Sequence, residues 1–376
     1  MNLDTIDIKR QGIYKKFPSF EFYIQSLDNS NDQFFLDLLD KYLKEGNFQH
    51  NSEFGTLDYN IFYAFNGLGS YLQRFKYKSL EDYQTKNIFN ENYFFQAISY
   101  LYWQTRFELY QLSKSIELFN NQAGVSVQLN STFFIKNKVS DLGTYLQFGM
   151  LEEAKFLTNK YLDFINSSVP LKIFNDEGDI YHRRTQYFVL RLLNDYWFKR
   201  DIKFPACAFD EPLFNQLIKN WDTENITLLE HLLLCLCDRH THQTKFDTAT
   251  KFFDISDFTF SYLPFEIHTI LRLRTEKGLE NPILSHVIMT TPLGKIYPNK
   301  KPYMDDLLLQ ILKRARLEYP DFASDLFTKE VSDAENIKPH TSKKSWQFWK
   351  KSLYTTNFIE PLSYQAFSFL KLRALS

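Results

Sequence analysis

Apolar side chains recur every three to four residues along most of the chain, which is the spacing of amphipathic α-helices. The first such run covers 34–42, and Gly46 follows it as the expected stop signal. A second run covers 59–71. A third run is rich in aromatic residues and covers 91–119, with Asn90 placed as its N-cap. The first third of the chain is therefore predicted to hold three helices.

The same spacing continues in the rest of the chain. A helical hairpin is predicted over 140–165, in which Ser140 caps the first helix and Gly149 turns the chain back. Asp210 is placed as the N-cap of a shorter helix further on. The remaining helices are predicted at 179–199, 210–221, 226–240, 263–277, 303–318 and 362–375.

This pattern predicts an all-α fold, an irregular bundle or solenoid-like array of antiparallel helices. Glycine (11) and proline (12) are scarce, which disfavours a strand-rich fold with many tight turns. At most a minor strand pair is expected, near 122–135, where Val125, Val127 and Leu129 alternate with polar residues. No repeat of fixed period is visible.

The segment 120–131 is the best candidate for a linker. It divides the chain into an N-terminal helical region, 1–124, and a C-terminal helical region, 125–376. A single continuous body with a bend at this segment is the alternative.

Composition and charge restrict the classes of partner. The formal net charge is −1, whereas nucleic-acid-binding proteins usually carry a basic field, so no nucleic-acid partner is expected.

The N-terminus lacks the apolar core of a signal peptide, and no apolar run is long enough to cross a bilayer. Three cysteines cannot form a disulfide framework. We therefore expect a cytoplasmic protein without membrane contact. Its high aromatic content, 18%, serves either a large core or a recognition surface.

The densest group of potential metal ligands lies in the predicted helix 226–240 and just beyond it. His231 and Cys235 are four residues apart, as are Asp238 and His242, so each pair shares a helix face. Such spacing is compatible with a metal held between two helices. The apolar residues around these positions favour a buried helix without metal, and we predict no metal site.

Motifs that would indicate catalysis are missing from the sequence. No P-loop, serine-nucleophile elbow or HExxH zinc motif occurs. Two carboxylate pairs, Glu152-Glu153 and Asp305-Asp306, each fall in the first turn of a predicted helix. There they offset the unpaired N–H groups of the helix end, which explains them without an acid/base site. We predict neither enzymatic activity nor a cofactor.

Partner binding is predicted first for the loop 286–303, whose three prolines and one glycine prevent a continuous helix. Its apolar side chains Met289, Leu293, Ile296 and Tyr297 are candidate contact residues. They could equally serve to pack the connection onto the core, and the sequence does not separate these two roles.

A second candidate contact is the pair Trp346 and Trp349, which fall on one face of a predicted helix. Buried tryptophans often dominate binding energy at interfaces. The alternative, which the pattern favours, is that the pair docks the C-terminal helix 362–375 onto the body.

One stretch resembles a known family. The string PFEIHTILRLRTEKGLENPILSHVIMTTPLGK begins at Pro264, and a helix containing Asp306, Leu307 and Leu308 follows it and ends at Tyr319-Pro320. Together they resemble helical immunity proteins of bacterial polymorphic toxins, the cognate inhibitors of effectors such as Rhs toxins delivered by type VI secretion. The hairpin SDLGTYLQFGMLEEA is similar to a helix pair of such proteins.

The resemblance implies a cytoplasmic immunity protein that binds and neutralises a cognate protein toxin by direct contact, with no chemistry of its own. A helical adaptor or secretion chaperone is the alternative. An unrecognised metal-dependent enzyme, using His231, Cys235, Asp238 and His242, is the second alternative. The sequence leaves the oligomeric state open.

Overall fold

A computed structural model describes residues 8–27, 33–52, 55–121, 134–166, 183–248 and 250–322. All of these residues belong to one compact unit. The proposed boundary near residue 124 falls in a stretch outside the described residues and stays a prediction. The predicted helix 362–375 also lies outside them.

Helices dominate the described residues, which confirms the predicted all-α class. In the first part of the chain they are α1 Phe20–Ser26, α2 Gln33–Glu45, α3 Ile61–Glu81, α4 Tyr83–Lys86 and α5 Glu91–Asn121. After them come α6 Val139–Gln147, α7 Leu151–Asn166, α8 Arg184–Trp197, α9 Pro212–Asn220, α10 Ile226–Gln243, α11 Phe265–Glu276 and α12 Asp306–Glu318.

A single small antiparallel hairpin is present among the described residues. Strand β1, Phe48–Ser52, pairs with β2, Gly55–Tyr59, and Phe48 lies opposite Tyr59. The sequence analysis was wrong to include Tyr59 in a helix, because α3 begins only at Ile61. The Tyr59 ring stacks on Phe48, with centroids 5.1 Å apart, and lies 5.8 Å from Tyr42. The strand thus buries this ring against α2. Residues 122–133 of the predicted strand pair lie outside the described part of the chain.

The two longest helices, α3 and α5, pack along each other and form one part of the core. Phe65 on α3 stacks on Phe107 on α5 with ring centroids 4.1 Å apart. Phe322, just after α12, meets both rings at nearly right angles. Burial of such large side chains supplies much of the driving force for packing these helices.

Helix α6 lies at the centre of the second part of the core, and all nine of its residues are buried. It packs against α5, α7, α8 and α11. Gly143 makes the approach to α11 close enough to exclude a side chain, because a Cβ there would lie 2.0 Å from the Phe265 carbonyl oxygen. Backbone thus contacts backbone where α6 meets α11.

The helix ends test several predicted signals. Gly46 ends α2 with φ +83°, and Gly149 turns the chain between α6 and α7 with φ +62°, as predicted. Asn90 accepts a hydrogen bond from the Tyr93 N–H at the start of α5, which confirms its role as N-cap. Asp305 accepts from the Leu308 N–H at 2.9 Å and caps α12.

Two predicted caps are wrong. Ser140 lies inside α6, because a π-helical turn, Phe134–Lys138, already precedes the helix, and its hydroxyl donates to the Lys136 carbonyl. Asp210 does not cap α9 but forms a bidentate ion pair with Arg184 at 2.7 and 2.9 Å. The added turn places Ser140 inside the helix, and the ion pair with Arg184, 26 positions away, engages Asp210. The local sequence therefore does not determine either helix end.

No helix within the described ranges is sufficiently long and apolar to cross a membrane.

Replacing Gly143 with alanine tests the close contact of α6 and α11. The new methyl group would collide with the backbone of Phe265, which cannot rotate away. We expect the free energy of unfolding to fall by about 3 kcal/mol or more, measured by urea denaturation.

The matched control is Gly69→Ala in α3, where the nearest atom to the new Cβ lies 3.9 Å away. Alanine is the better helix former, so this variant should gain about 0.5–1 kcal/mol. Equal stability of the two variants would contradict the contact.

Candidate functional site

An N-terminal segment, residues 8–18, is held against α10 by a buried carboxylate. Arg10 donates to Asp238 through Nε at 2.9 Å and Nη2 at 2.8 Å, and the Gly12 N–H donates to the same carboxylate at 2.9 Å. The Asp238 side chain is fully buried, whereas the Arg10 side chain is 41% exposed. Charge-assisted, bidentate pairs of this kind are among the stronger hydrogen bonds in proteins.

The electrostatics of Asp238 follow from these partners. Burial by itself raises the pKa of a carboxyl group, but the hydrogen bonds from Arg10 and Gly12 outweigh it, so the pKa of Asp238 is lowered. His286 Nε2 lies 3.3 Å from Asp238 Oδ1. Burial lowers the pKa of His286. The neutral imidazole therefore lies beside an ionised carboxylate.

The other candidate metal ligands also contact the N-terminal segment. His231 Nε2 donates to the Ile8 carbonyl at 2.7 Å, and Cys235 Sγ lies 3.8 Å from the same oxygen. His242 Nε2 donates to the Gly12 carbonyl at 3.0 Å. A carbonyl oxygen can only accept, so both imidazoles carry their proton on Nε2 at these contacts.

The predicted spacing thus places His231, Cys235, Asp238 and His242 along one face of α10, but this face binds the N-terminal segment through its backbone and the Arg10 side chain. Throughout the described ranges, no group of three or more His, Cys, Asp or Glu side chains could hold a metal ion. The ligands that a metal would need instead satisfy the polar groups of an extended segment, which no local sequence pattern reveals.

The cysteines are poorly suited to nucleophilic chemistry. Cys207, Cys235 and Cys237 are all buried, and none of them is in a disulfide bond. Burial raises the pKa of each thiol, to about 11 for Cys207. Because the thiolate is the nucleophile, these side chains are unreactive near neutral pH.

The loop 286–303, predicted to bind a partner, is fastened to the core at its centre. Leu293 is fully buried. Gln147, the last residue of α6, donates through Nε2 to the carbonyls of Leu293 at 2.8 Å and Lys295 at 2.9 Å. Gly294 has no room for a side chain, because a Cβ would lie 2.4 Å from the Ile288 carbonyl oxygen.

The later part of the loop is held by Arg272 on α11. Its guanidinium donates to the Leu146 carbonyl at 2.7 Å, to Asn299 Oδ1 at 2.8 Å and to the Tyr297 carbonyl. The Tyr297 ring stacks on Phe148 with centroids 4.9 Å apart. Packing onto the core therefore occupies Tyr297 as well as Leu293.

The other predicted contact residues differ in their surroundings. Met289 and Ile296 are half-buried, so they present part of their surface outward. Trp346 and Trp349 lie outside the described residues. Partner binding by these four side chains stays a prediction.

A buried charged cluster lies between α3, α5 and α6. Lys138 forms an ion pair with Glu108 at 2.5 Å. Lys138 and Lys76 both interact electrostatically with the nearby Asp141 carboxylate. Burial raises the pKa of Asp141 to about 7, against which the two lysines pull it down. Burial also lowers the pKa of Lys76. Perturbed groups of this kind occur at active sites and also in structural cores. Lys76, Lys138 and Asp141 are all buried, so this cluster is part of the core.

A ladder of four aromatic rings covers one face of α3 and α5. We call Tyr71, Phe75, Tyr93 and Tyr100 the aromatic ladder. Phe75 lies at its centre, stacked on Tyr93 at 5.9 Å, on Tyr100 at 5.6 Å and on Tyr71 at 6.2 Å between centroids. Tyr93 is 37% exposed, Tyr71 and Phe75 are half-buried and Tyr100 is buried. The rings thus run from the core to the surface.

Tyr303, at the end of the loop, and Met304, the next residue, add two further side chains beside the ladder. The Tyr303 N–H donates to Ser99 Oγ at 2.8 Å, and Tyr100 donates its hydroxyl to Asp305. These contacts hold the chain next to the middle of α5, where Tyr303 is 37% and Met304 41% exposed. Large, stiff, partly exposed aromatic side chains on helices favour protein recognition, because little conformational entropy is lost on binding.

This surface was not predicted from the sequence. Tyr71 and Phe75 are four residues apart, and Tyr93 and Tyr100 are seven apart, so each pair shares a helix face. That spacing also fits an ordinary core stripe. Only the pairing of α3 with α5, and the return of the loop to Ser99, brings the rings together at the surface.

Comparisons with known proteins give no family assignment: no protein-family model, no curated protein and no solved structure matches the chain.

Asp238→Asn tests whether the carboxylate holds the N-terminal segment. The amide cannot form the charged pair with Arg10, so we expect a loss of roughly 2 kcal/mol in unfolding free energy. Trypsin should then cleave faster after Arg10, Lys15 and Lys16. The control Asp222→Asn breaks an exposed pair with Lys277 and should cost less than about 1 kcal/mol. Unchanged cleavage in Asp238→Asn would contradict the assignment.

The raised pKa of Asp141 predicts a pH dependence of stability. Its pKa is 3.8 in the unfolded chain and about 7 in the fold, so the folded state prefers the protonated form. The contribution of this group is therefore most favourable below about pH 4 and declines as pH rises through 7, on the order of 1 kcal/mol per pH unit.

Asp141→Asn should remove this decline, so the difference in stability between variant and wild type grows from pH 5 towards neutral. Urea denaturation across this range measures it. The exposed α8 variant Asp195→Asn is the control and should keep the wild-type slope. A wild-type slope in Asp141→Asn would show that the carboxyl group titrates normally.

Proposed function

We propose that the protein is an immunity protein that binds and neutralises a cognate bacterial toxin through the aromatic ladder together with Tyr303 and Met304. The aromatic ladder is the observation that carries this proposal. The resemblance of the stretch that begins at Pro264 supplies the class of partner.

The ladder has the features of a binding hot spot. Its rings are stacked and held by two long helices, so the surface is formed before a partner arrives. Tyrosine is enriched at the centres of protein interfaces, because its ring buries a large area while its hydroxyl stays hydrogen-bonded. Tyr100 already has this arrangement, with its hydroxyl on Asp305.

Charged side chains surround the aromatic centre. Lys78 Nζ lies 5.7 Å from the centroid of the Tyr93 ring. Arg74 and Asp306 are exposed nearby. A rim with both signs of charge suits a partner of mixed surface charge and excludes water from the centre of an interface.

Inhibition would require no chemistry of this chain. A standard interface buries about 1,600 Å², and the substrate of the toxin could not reach the part of the toxin surface that this interface covers. The cysteines and the face of α10 are engaged elsewhere, which disfavours the metal-dependent enzyme among the alternatives.

Co-expression with the toxin encoded beside the gene tests the proposal. We expect the wild-type chain to restore growth and to co-purify with the toxin. Tyr93→Ala and Tyr303→Ala should each weaken the complex by about 2 kcal/mol, or roughly 30-fold in Kd, measured by calorimetry. The double variant should no longer protect cells.

Ile283→Ala is the matched control, because Ile283 is an apolar side chain, 89% exposed, that lies outside the ladder. It should bind and protect like the wild type. A stable complex without protection would favour the adaptor or secretion chaperone. Full protection by the double variant would show that the toxin binds elsewhere, and no protection by the wild type would reject immunity.

A further inference from the structure

A second candidate surface lies where residues 14–18 of the N-terminal segment meet α1 and the end of α10. Here an open groove of about 370 Å³ is lined by aromatic side chains. They are Tyr14, Phe17, Phe22, Phe246 and Phe258. Phe22 is 53% exposed and meets Phe258 edge to face, with centroids 6.1 Å apart. Apolar surface of this size and exposure is typical of an interaction site.

The groove has firmly held walls. The Tyr14 N–H donates to Thr241 Oγ1 at 2.9 Å, and the Tyr262 hydroxyl donates to the Pro18 carbonyl at 2.8 Å. With the pair of Arg10 and Asp238, these bonds fix the N-terminal segment as one wall. The end of α10 also lines the groove, through Thr241. The groove therefore exists before any partner binds.

Lysine side chains give the groove its charge. Lys16 and Lys245 line it, and Lys15 and Lys251 lie close by. Within the described part of the chain none of these four forms an ion pair, although many other lysines do. Lys245 Nζ lies over the Tyr14 ring, 3.4 Å from its centroid.

Two carboxylates that follow α10 in the chain have partners of their own. Asp247 is paired with Arg183 at 3.2 Å. Asp257 accepts from the N–H and the hydroxyl of Thr259. The cations at the rim are thus available to a partner, and the aromatic floor would accept its apolar side chains.

We propose that this groove binds an acidic segment of a partner protein in which carboxylate side chains flank an aromatic or aliphatic one. The carboxylates would meet Lys16 and Lys245, while the apolar side chain would pack against the outer surface of the Phe22 and Phe258 rings. This site is separate from the aromatic ladder, so it does not depend on the proposed immunity function.

The same chemistry disfavours two other ligands. Single-stranded nucleic acid needs several phosphate contacts, and two lining lysines neutralise about two phosphates. A membrane surface is flat on this scale, whereas these rings line a concave groove. An acidic peptide matches both the positive charge of the groove and its concave shape.

Fluorescence polarisation of the full chain with a labelled peptide tests the proposal. The probe is a short peptide in which pairs of glutamates alternate with single phenylalanines. We expect saturable binding that weakens as ionic strength rises from about 0.05 to about 0.5 M, since screening shortens the reach of the charges. The double variant Lys16→Glu with Lys245→Glu should weaken binding about ten-fold or more.

Two further variants separate a local effect from misfolding. Phe22→Ala removes the exposed ring without changing charge and should also weaken binding several-fold. Lys155→Glu with Lys219→Glu reverses two exposed lysines on α7 and α9 and should bind like the wild type.

Several outcomes would overturn the proposal. The first is the absence of saturable binding of the glutamate–phenylalanine peptide. The second is equal affinity for this peptide and for one with lysine in place of glutamate, and the third is an affinity of the groove variants equal to that of the wild type. Tighter binding of an oligothymidylate, or of vesicles of phosphatidylserine and phosphatidylcholine, would assign the groove to nucleic acid or to membrane instead.

Discussion

The close contact of α6 with α11 at Gly143 is the constraint from which the arrangement of the candidate site follows. Because the backbones touch there, Arg272 on α11 reaches the carbonyls of Leu146 and Gln147 at the end of α6. Gln147 in turn holds the loop that follows α11, through its hydrogen bonds to Leu293 and Lys295. A side chain at position 143 would push the two helices apart and displace each of these partners.

Polar side chains fix the non-helical segments of this fold, while aromatic rings pack its helices. Arg272 holds the loop, and Asp238 holds the N-terminal segment against α10. Each of these buried charges is satisfied by several hydrogen bonds, as burial of a charge requires. The segments so fixed carry the side chains that remain exposed, Tyr303 and Met304 beside α5 and Lys16 beside α10. Rigid connections of this kind suit the recognition function that we propose.

The sequence predicts what depends on neighbours along the chain. Gly46, Asn90 and Asp305 mark their helix ends correctly, because a cap involves residues within one turn. The spacing of His231 and Cys235 correctly places them on one face, but their partner, the carbonyl of Ile8, lies more than 220 positions away. The hairpin β1–β2 was missed because its strands carry mostly polar residues without clear alternation. The aromatic ladder depends on the pairing of two helices, and periodicity within one helix cannot supply it.

Hydroxyl-radical footprinting of the chain alone and in complex with the toxin proposed as its partner tests the central claim most directly. Tyrosine and methionine side chains react readily when exposed, so the oxidation of these side chains directly measures whether the proposed surface is covered. The account predicts that Tyr93, Tyr303 and Met304 become protected in the complex, while Phe209, which is 50% exposed on another part of the surface, reacts as before. Unchanged oxidation of the first three side chains, with protection elsewhere, would contradict recognition through the aromatic ladder.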